Sequence, residues 1–154
     1  MSSPGPEARG SMIGFNSDHN KAHIYRAIIE GLAYSLREGK ERIEKRCRTK
    51  IKRLIVSGGG SQSDEVMIIL ANVFNLKVER PHTFETSSLG AAISAAKAIG
   101  WYSDIETAKE KMTRISKVFS PNEEDAKTYD HIYKDAYLKL YPSLKPIYSQ
   151  MKRS

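Results

Sequence analysis

The stretch of this sequence best suited to hold a ligand is Leu54-Ile-Val-Ser-Gly-Gly-Gly-Ser-Gln-Ser-Asp64. An apolar run rich in branched residues, 51–56, feeds three glycines, Gly58, Gly59 and Gly60, and then Ser61, Ser63 and a helix start. Glycines leave the backbone open to close approach, and the first amides of a helix have no internal acceptor. A nucleotide is the ligand that suits such a turn. The turn is neither a P-loop, since GxxxxGK[ST] is absent, nor a dinucleotide fingerprint, since GxGxxG does not occur. Asp64 and Glu65 stand in the first turn of the helix, where they oppose a triphosphate, so adenine or ribose fits there better than the terminal phosphates. On spacing alone, a plain strand-to-helix turn and a ligand site explain the glycines equally well.

Other reactive residues form no constellation. His19 and His23 have the i, i+4 spacing of a helical metal pair, but without an HExxH glutamate or a third ligand they read as capping or surface residues. His82 and His131 have no partner in the sequence. Cys47 lies between Arg46 and Arg48, excluding an internal disulfide, a CxxC site and, with no GxSxG elbow elsewhere, most nucleophilic chemistry. Arg26 and Glu30 are spaced for an intrahelical ion pair.

The chain that positions these residues has 154 of them, 40% hydrophobic and 28% charged, which suits one soluble globular domain. No stretch approaches the roughly 20 apolar residues of a membrane span, and the small, polar N-terminus lacks a leader pattern, so a cytoplasmic protein is expected. A net charge of +7 raises nucleic acid as a partner. Its densest run, KRCRTKIKR at 45–53, falls where a long helix should end, and cations there complement the helix dipole. A solvated helix end or partner-facing surface is the preferred reading, ahead of nucleic acid.

The elements alternate. Residues 11–15 read as an edge strand, and Ser17 or Asp18 as a helix cap. Ile24, Ala27, Ile28, Gly31, Leu32, Ser35 and Leu36 then recur at helical spacing, predicting one narrow buried stripe to about Lys45, with Gly31 admitting another backbone. Strands are predicted near 52–56 and 76–79, with helices over about 63–74 and 86–99. The alanine-rich second of these implies tight packing. The pattern predicts an α/β domain with parallel strands crossed by helices. Further on, 113–119 reads as extended, and Asn122 starts a helix whose tyrosines form a packing face until Pro142 and Pro146 interrupt it.

Four pieces occur in a telling order: Ala8-Arg-Gly10 with Ile13-Gly14; Arg26-Ala-Ile-Ile-Glu-Gly-Leu-Ala33; Gly58-Gly-Gly-Ser61; and Glu85 followed by Leu89-Gly-Ala-Ala92. In order and spacing they resemble the C-terminal domain of the FGGY family of carbohydrate kinases, which includes xylulose kinase and glycerol kinase, over nearly the whole chain. The resemblance implies an actin-like, ribonuclease-H-like half domain with an incomplete sheet, residues 1–120, and a C-terminal tyrosine-rich helical extension, 121–154, packed on it. It implies an ATP-dependent kinase of sugars or polyols, with nucleotide between two halves. Gly58, Gly59, Gly60, Ser61 and Ser63 become the nucleotide-binding residues, Gly59 and Ser63 matching positions that contact ADP. Arg26, Glu30, Gly31, Glu85 and the 90–92 run become architecture.

In such kinases a DxGT phosphate loop, the sugar contacts and the catalytic aspartate lie upstream of the matched region. None of Asp18, Asp64, Asp104, Asp125, Asp130 or Asp135 stands in a DxG context, so no catalytic base is expected here, and Mg2+ is expected through the missing N-terminal half. The chain reads as a fragment or one piece of a split gene, inactive alone, because phosphoryl transfer needs nucleotide, metal and acceptor positioned together. An exposed sheet edge predicts a homodimer or strand exchange. The alternative is a noncatalytic nucleotide-sensing or protein-interaction module of actin-like fold.

Overall fold

Asn20 starts the first helix. Its Oδ1 accepts the amides of Ala22 (2.9 Å) and His23 (3.3 Å), while His23 Nδ1 accepts the Asn20 amide (3.2 Å), a reciprocal capping box. The cap is therefore Asn20, not the expected Ser17 or Asp18, and His19 and His23 both serve backbone amides, His19 Nδ1 that of Asn16. The computed structural model describes residues 5–151. In chain order these form α1 Lys21–Cys47, β1 Leu54–Ile55, a 3₁₀ turn Gly59–Gln62, α2 Asp64–Phe74, β2 Val78–Pro81, α3 Thr86–Ala98, α4 Ile105–Met112, β3 Ile115–Phe119, α5 Glu123–Ile132, a π-helical turn Tyr133–Tyr137 and α6 Leu138–Met151. No helix among the described residues is long and apolar enough to cross a membrane.

The strands lie in the order β1-β2-β3. β1 and β2 pair in parallel, Leu54 opposite Val78, with α2 as their crossover. β2 and β3 pair antiparallel, so the sheet is mixed rather than wholly parallel. The cause lies at the end of α4. His82 donates its amide to the Arg114 carbonyl at 2.8 Å, so the chain enters the sheet at the far end of β2 and must run back along it. The register slips between Arg80 and Pro81, where proline has no amide for the ladder. The expected strand at 11–15 does not form. Among the described residues its main chain has no hydrogen-bond partner, and Gly14 sits at φ +83°.

α2 is apolar nearly all round and forms the centre of the core. Met67, Leu70 and Val73 pack with Val78, Phe119, Ala33, Tyr34, Tyr129 and Tyr133. The tyrosines behave as a packing face: Tyr34 lies 5.8 Å from Tyr133 and 5.1 Å from Tyr137, ring centre to ring centre. Pro142 and Pro146 do not interrupt the helix as expected; α6 runs through both. Tertiary anchors offset the two lost ladder bonds, since Tyr141 accepts the Gly5 amide (3.0 Å) and Tyr148 donates to Ser11 Oγ (3.2 Å).

α1 departs most from the sequence reading. It turns Ile29, Ala33, Tyr34 and Arg37 toward α2 and α5. The stripe expected to be buried is instead open, with Ile28 53%, Leu32 62% and Leu36 61% exposed. A Cβ at Gly31 would meet nothing within 4 Å, so among the described residues no backbone approaches it. The alanines of α3 are likewise exposed except Ala96.

Candidate functional site

The glycine bend is built by β1 and locked from within. The Val56 amide donates to the Glu79 carbonyl (3.0 Å), carrying the ladder one residue past β1. The chain then breaks at Gly58, whose φ of +88° and ψ of −177° lie in a region essentially reserved for glycine. Ser61 closes the turn: its amide (3.1 Å) and its hydroxyl (2.7 Å) both donate to the Gly58 carbonyl. Ser63 caps α2, accepting the Val66 amide at 3.3 Å and donating to Glu65 Oε2 at 2.8 Å.

The five predicted nucleotide-binding residues thus divide. Gly59 and Gly60 are exposed, and among the described residues a Cβ at Gly58, Gly59 or Gly60 would meet nothing within 4 Å. The backbone here is open to a ligand. Ser61 is buried with its hydroxyl committed to the turn, and Ser63 is half-buried at the helix cap. These two set the shape of the bend; Gly59 and Gly60 offer its surface.

Two residues that the sequence reading missed lie beside it. Ser57 Oγ meets Thr86 Oγ1 at 3.3 Å, joining the end of the β1 ladder to the first residue of α3. The starts of the 3₁₀ turn and of α3 are thereby brought to one place, and helix starts lend positive potential and free amides. Glu85, the residue before α3, is exposed and makes no side-chain cap. A hydroxyl at the end of a strand and another opening an alanine-rich helix were the available signals.

The expected repulsion from Asp64 is largely offset. Arg80 Nη2 approaches its Oδ1 at 2.7 Å and Lys117 bonds its other oxygen, which holds the carboxyl below its ordinary range, the Lys117 bond contributing most. The Arg80 contact is an ion pair rather than an aligned hydrogen bond, since neither Nε nor Nη2 has a hydrogen-bond partner among the described residues. Glu65 is held low by the Ser63 hydroxyl. The first turn of α2 therefore repels anions less than its two acids suggest.

Residues 2–99 match the sequence pattern of the C-terminal domain of the FGGY family of carbohydrate kinases. The chain belongs to that family. It is 41% identical to an uncharacterized sugar kinase of Escherichia coli over 88% of this chain and 27% of the relative, and 35% identical to a xylulose kinase of Staphylococcus epidermidis over 92% and 28%. Among solved structures, a ligand-bound xylulose kinase from Lactobacillus acidophilus superposes with a TM-score of 0.81 at 28% identity, covering 94% of this chain and 29% of that one. The fold is thus the actin-like half domain of FGGY kinases, with a mixed three-stranded sheet. The chain spans little more than a quarter of the length of these relatives.

Proposed function

We propose that this chain is the nucleotide-holding C-terminal half of an ATP-dependent kinase of sugars or polyols, acting in the cytoplasm and inactive alone. The observation that carries the reading is the open bend: Gly58 in a glycine-only conformation, Gly59 and Gly60 uncovered, and the start of α3 tied to it through Ser57 and Thr86. A flat nucleoside suits these residues because, among the described residues, a Cβ placed on Gly58, Gly59 or Gly60 meets no atom within 4 Å, while Ser61 and Ser63 brace the turn from the protein side. We read the region from 121 onward, described to residue 151, as a helical extension packed on this half, with Asp125 of α5 held by Asn72 of α2. When bound, ATP supplies the phosphoryl group.

We assign Mg2+, the sugar contacts and the proton-accepting aspartate to the rest of the polypeptide. Five of the six aspartates here are occupied otherwise: Asp64 by Arg80 and Lys117, Asp104 capping α4, Asp125 by Asn72, Asp130 by Arg37 and Lys134, Asp135 by His131 and Lys139; Asp18 lies exposed in the turn before α1.

Titration calorimetry with ADP tests the nucleotide seat. Binding that weakens at least tenfold in Gly59→Val, with unchanged circular dichroism, supports it; equal binding by the variant sinks it. A coupled ADP-release assay over a panel of pentoses and polyols should show no turnover by the isolated chain, and robust turnover would overturn the half-site reading.

A further inference from the structure

At the end of the sheet opposite the bend, the chain passes from α1 to β1 through Lys45-Arg-Cys-Arg-Thr-Lys-Ile-Lys-Arg53, in which no residue is acidic. Two neighbouring carboxylates hold part of this charge. Glu44, only 7% exposed, takes Lys40 at 3.0 Å and Lys50 at 3.6 Å, and Glu79 takes Arg53 at 2.6 Å. Lys45, Arg46, Arg48 and Lys52 are exposed and have no hydrogen-bond or ion-pair partner among the described residues. β1 and β2 run parallel with Leu54 opposite Val78, so the exposed Lys77 enters the sheet beside Arg53 and widens the strip.

The strip is held in one shape. The amides of Arg48 and Thr49 both donate to the Glu44 carbonyl, the second at 3.2 Å, and the Ile51 amide donates to the Glu44 carboxylate at 2.8 Å. Arg48 sits at φ +52°, in the left-handed region. The left-handed positions that end α2 and α3 carry Asn75 and Gly100, the residue types suited to that conformation; α1 alone places an arginine there. The negative end of the helix dipole accounts for Lys45 and Arg46. Lys52 and Lys77 stand beyond its reach, and a glycine at 48 would end the helix with less strain.

The partner that suits this surface is an extended polyanion that asks for no apolar or stacking contact. From Glu44 to Arg53 there is no aromatic side chain, and the one aliphatic, Ile51, is half-buried. A bilayer surface calls for apolar side chains to insert, and single-stranded nucleic acid for aromatic platforms. A duplex backbone is held by arginine, lysine and threonine side chains without either. We infer that residues 45–53, with Lys77, form a binding surface for the phosphate backbone of duplex nucleic acid, held without base reading and at the opposite end of the sheet from the nucleotide seat. Sequence pattern ranks a solvated helix end higher; the unpaired side chains and the strained Arg48 reverse that order.

Fluorescence anisotropy of the 154-residue chain with short DNA and RNA duplexes of unrelated sequence tests this. Affinity should be alike across sequences of one duplex type and fall with salt at a logarithmic slope of about −3 to −4, the value for four phosphates, or about a hundredfold between 50 and 200 mM. The DNA and RNA arms tell which duplex is preferred. Arg48→Gly should raise the melting temperature by about 2 °C, yet weaken the complex at least threefold and make the slope shallower by about one. Arg46→Gln combined with Lys52→Gln should weaken it at least tenfold with unchanged circular dichroism. Lys111→Gln, on α4 at the other end of the sheet, should leave it unchanged. No binding at about 50 mM salt, the lowest in the series, overturns the inference, as does a complex indifferent to the double variant. An equal loss in Lys111→Gln overturns it by tracing binding to net charge, and Arg48→Gly that lowers the melting temperature or spares the complex overturns it by returning Arg48 to the fold. Polyglutamate or phosphatidylserine vesicles that compete as well as the duplex, charge for charge, give the strip instead to an acidic protein or a membrane.

Discussion

Tyr129 donates its hydroxyl proton to Glu30 Oε1 at 2.7 Å across 99 positions of sequence. Arg26 completes a closed set, donating Nε to Glu30 at 2.8 Å and Nη2 to the Tyr129 oxygen at 3.1 Å. The pair that spacing alone made an intrahelical ornament is a tie between α1 and α5. Tyr129→Phe removes a hydrogen bond to a charged group while leaving the ring and the Arg26–Glu30 pair in place. We expect a loss of about 1–2 kcal/mol in urea unfolding with an unchanged m-value, and an unchanged value would mean water replaces the phenol at no cost.

The three glycines of the bend should differ sharply under substitution. Gly58→Ala forces a side chain into φ +88°, which costs on the order of 1–3 kcal/mol, and the Ser61 bonds to its carbonyl should loosen. Gly59→Ala and Gly60→Ala meet no atom within 4 Å and should change stability by less than about 1 kcal/mol. Thermal melts of the three variants check this ordering. Equal losses at all three would mean that the bend is strained throughout rather than at one residue.

What the sequence could reveal followed the range of the interactions. The glycine bend, the Ser63 cap, α2 and the Asn122 start depend on neighbours within a few residues, and all were readable. The strand at 11–15 and the buried stripe on α1 failed for a shared reason: each needs a covering neighbour, and among the described residues none lies against either. Periodicity marked Ile28, Leu32 and Leu36 as a buried face, whereas among residues 5–151 these side chains stand exposed, because spacing carries no information on which face of α1 meets α2 and α5. The Ser57–Thr86 contact was hidden because it joins residues 29 positions apart. The run of α6 through two prolines was hidden because its anchors lie more than 130 positions away, at Gly5 and Ser11.

Asn72 is a buried polar residue that local pattern could not explain. Its Oδ1 accepts the Asn122 amide at 2.8 Å and its Nδ2 donates to Asp125 at 3.0 Å, so α2 itself fixes the start of α5. Asn72→Ala should cost about 1–3 kcal/mol, because it strands a partly buried amide and leaves a small void. Asn72→Asp should be tolerated less well, since it sets a second carboxylate against Asp125. Chemical unfolding of both variants measures the order, and the reverse order would place a compensating proton between the two acids.

Acid should weaken the fold through its paired carboxylates. Lys117 and Arg80 hold Asp64 below its ordinary range, and Lys134 and Arg37 do the same for Asp130. A depressed carboxyl binds fewer protons folded than unfolded, so its contribution is complete above the unfolded value of about 4 and is lost as pH falls below it. Asp64→Asn should therefore flatten the fall in melting temperature on that acid limb, at the cost at pH 7 of the ion pairs to Lys117 and Arg80. An acid limb identical to that of the parent chain would show that the pairing contributes nothing.

The alkaline limb has the opposite sign and a different source. Burial raises Tyr34 and Tyr133 well above the ordinary phenol value, and Tyr129 and Tyr137 are raised for the same leading reason. Each phenol is neutral in the folded chain at a pH where the unfolded chain has begun to ionise, at about 10. Their contribution is therefore complete below about pH 10 and falls away as pH rises above it. Tyrosinate absorbance of this cluster should appear only together with loss of helix in a titration between pH 9 and 12. Tyr34→Phe removes one ionisable group whose hydroxyl has no hydrogen-bond partner among the described residues, so it should move the alkaline midpoint upward without loss of stability at pH 7. Early tyrosinate formation in a fully helical protein would mean that the four rings are wet rather than packed.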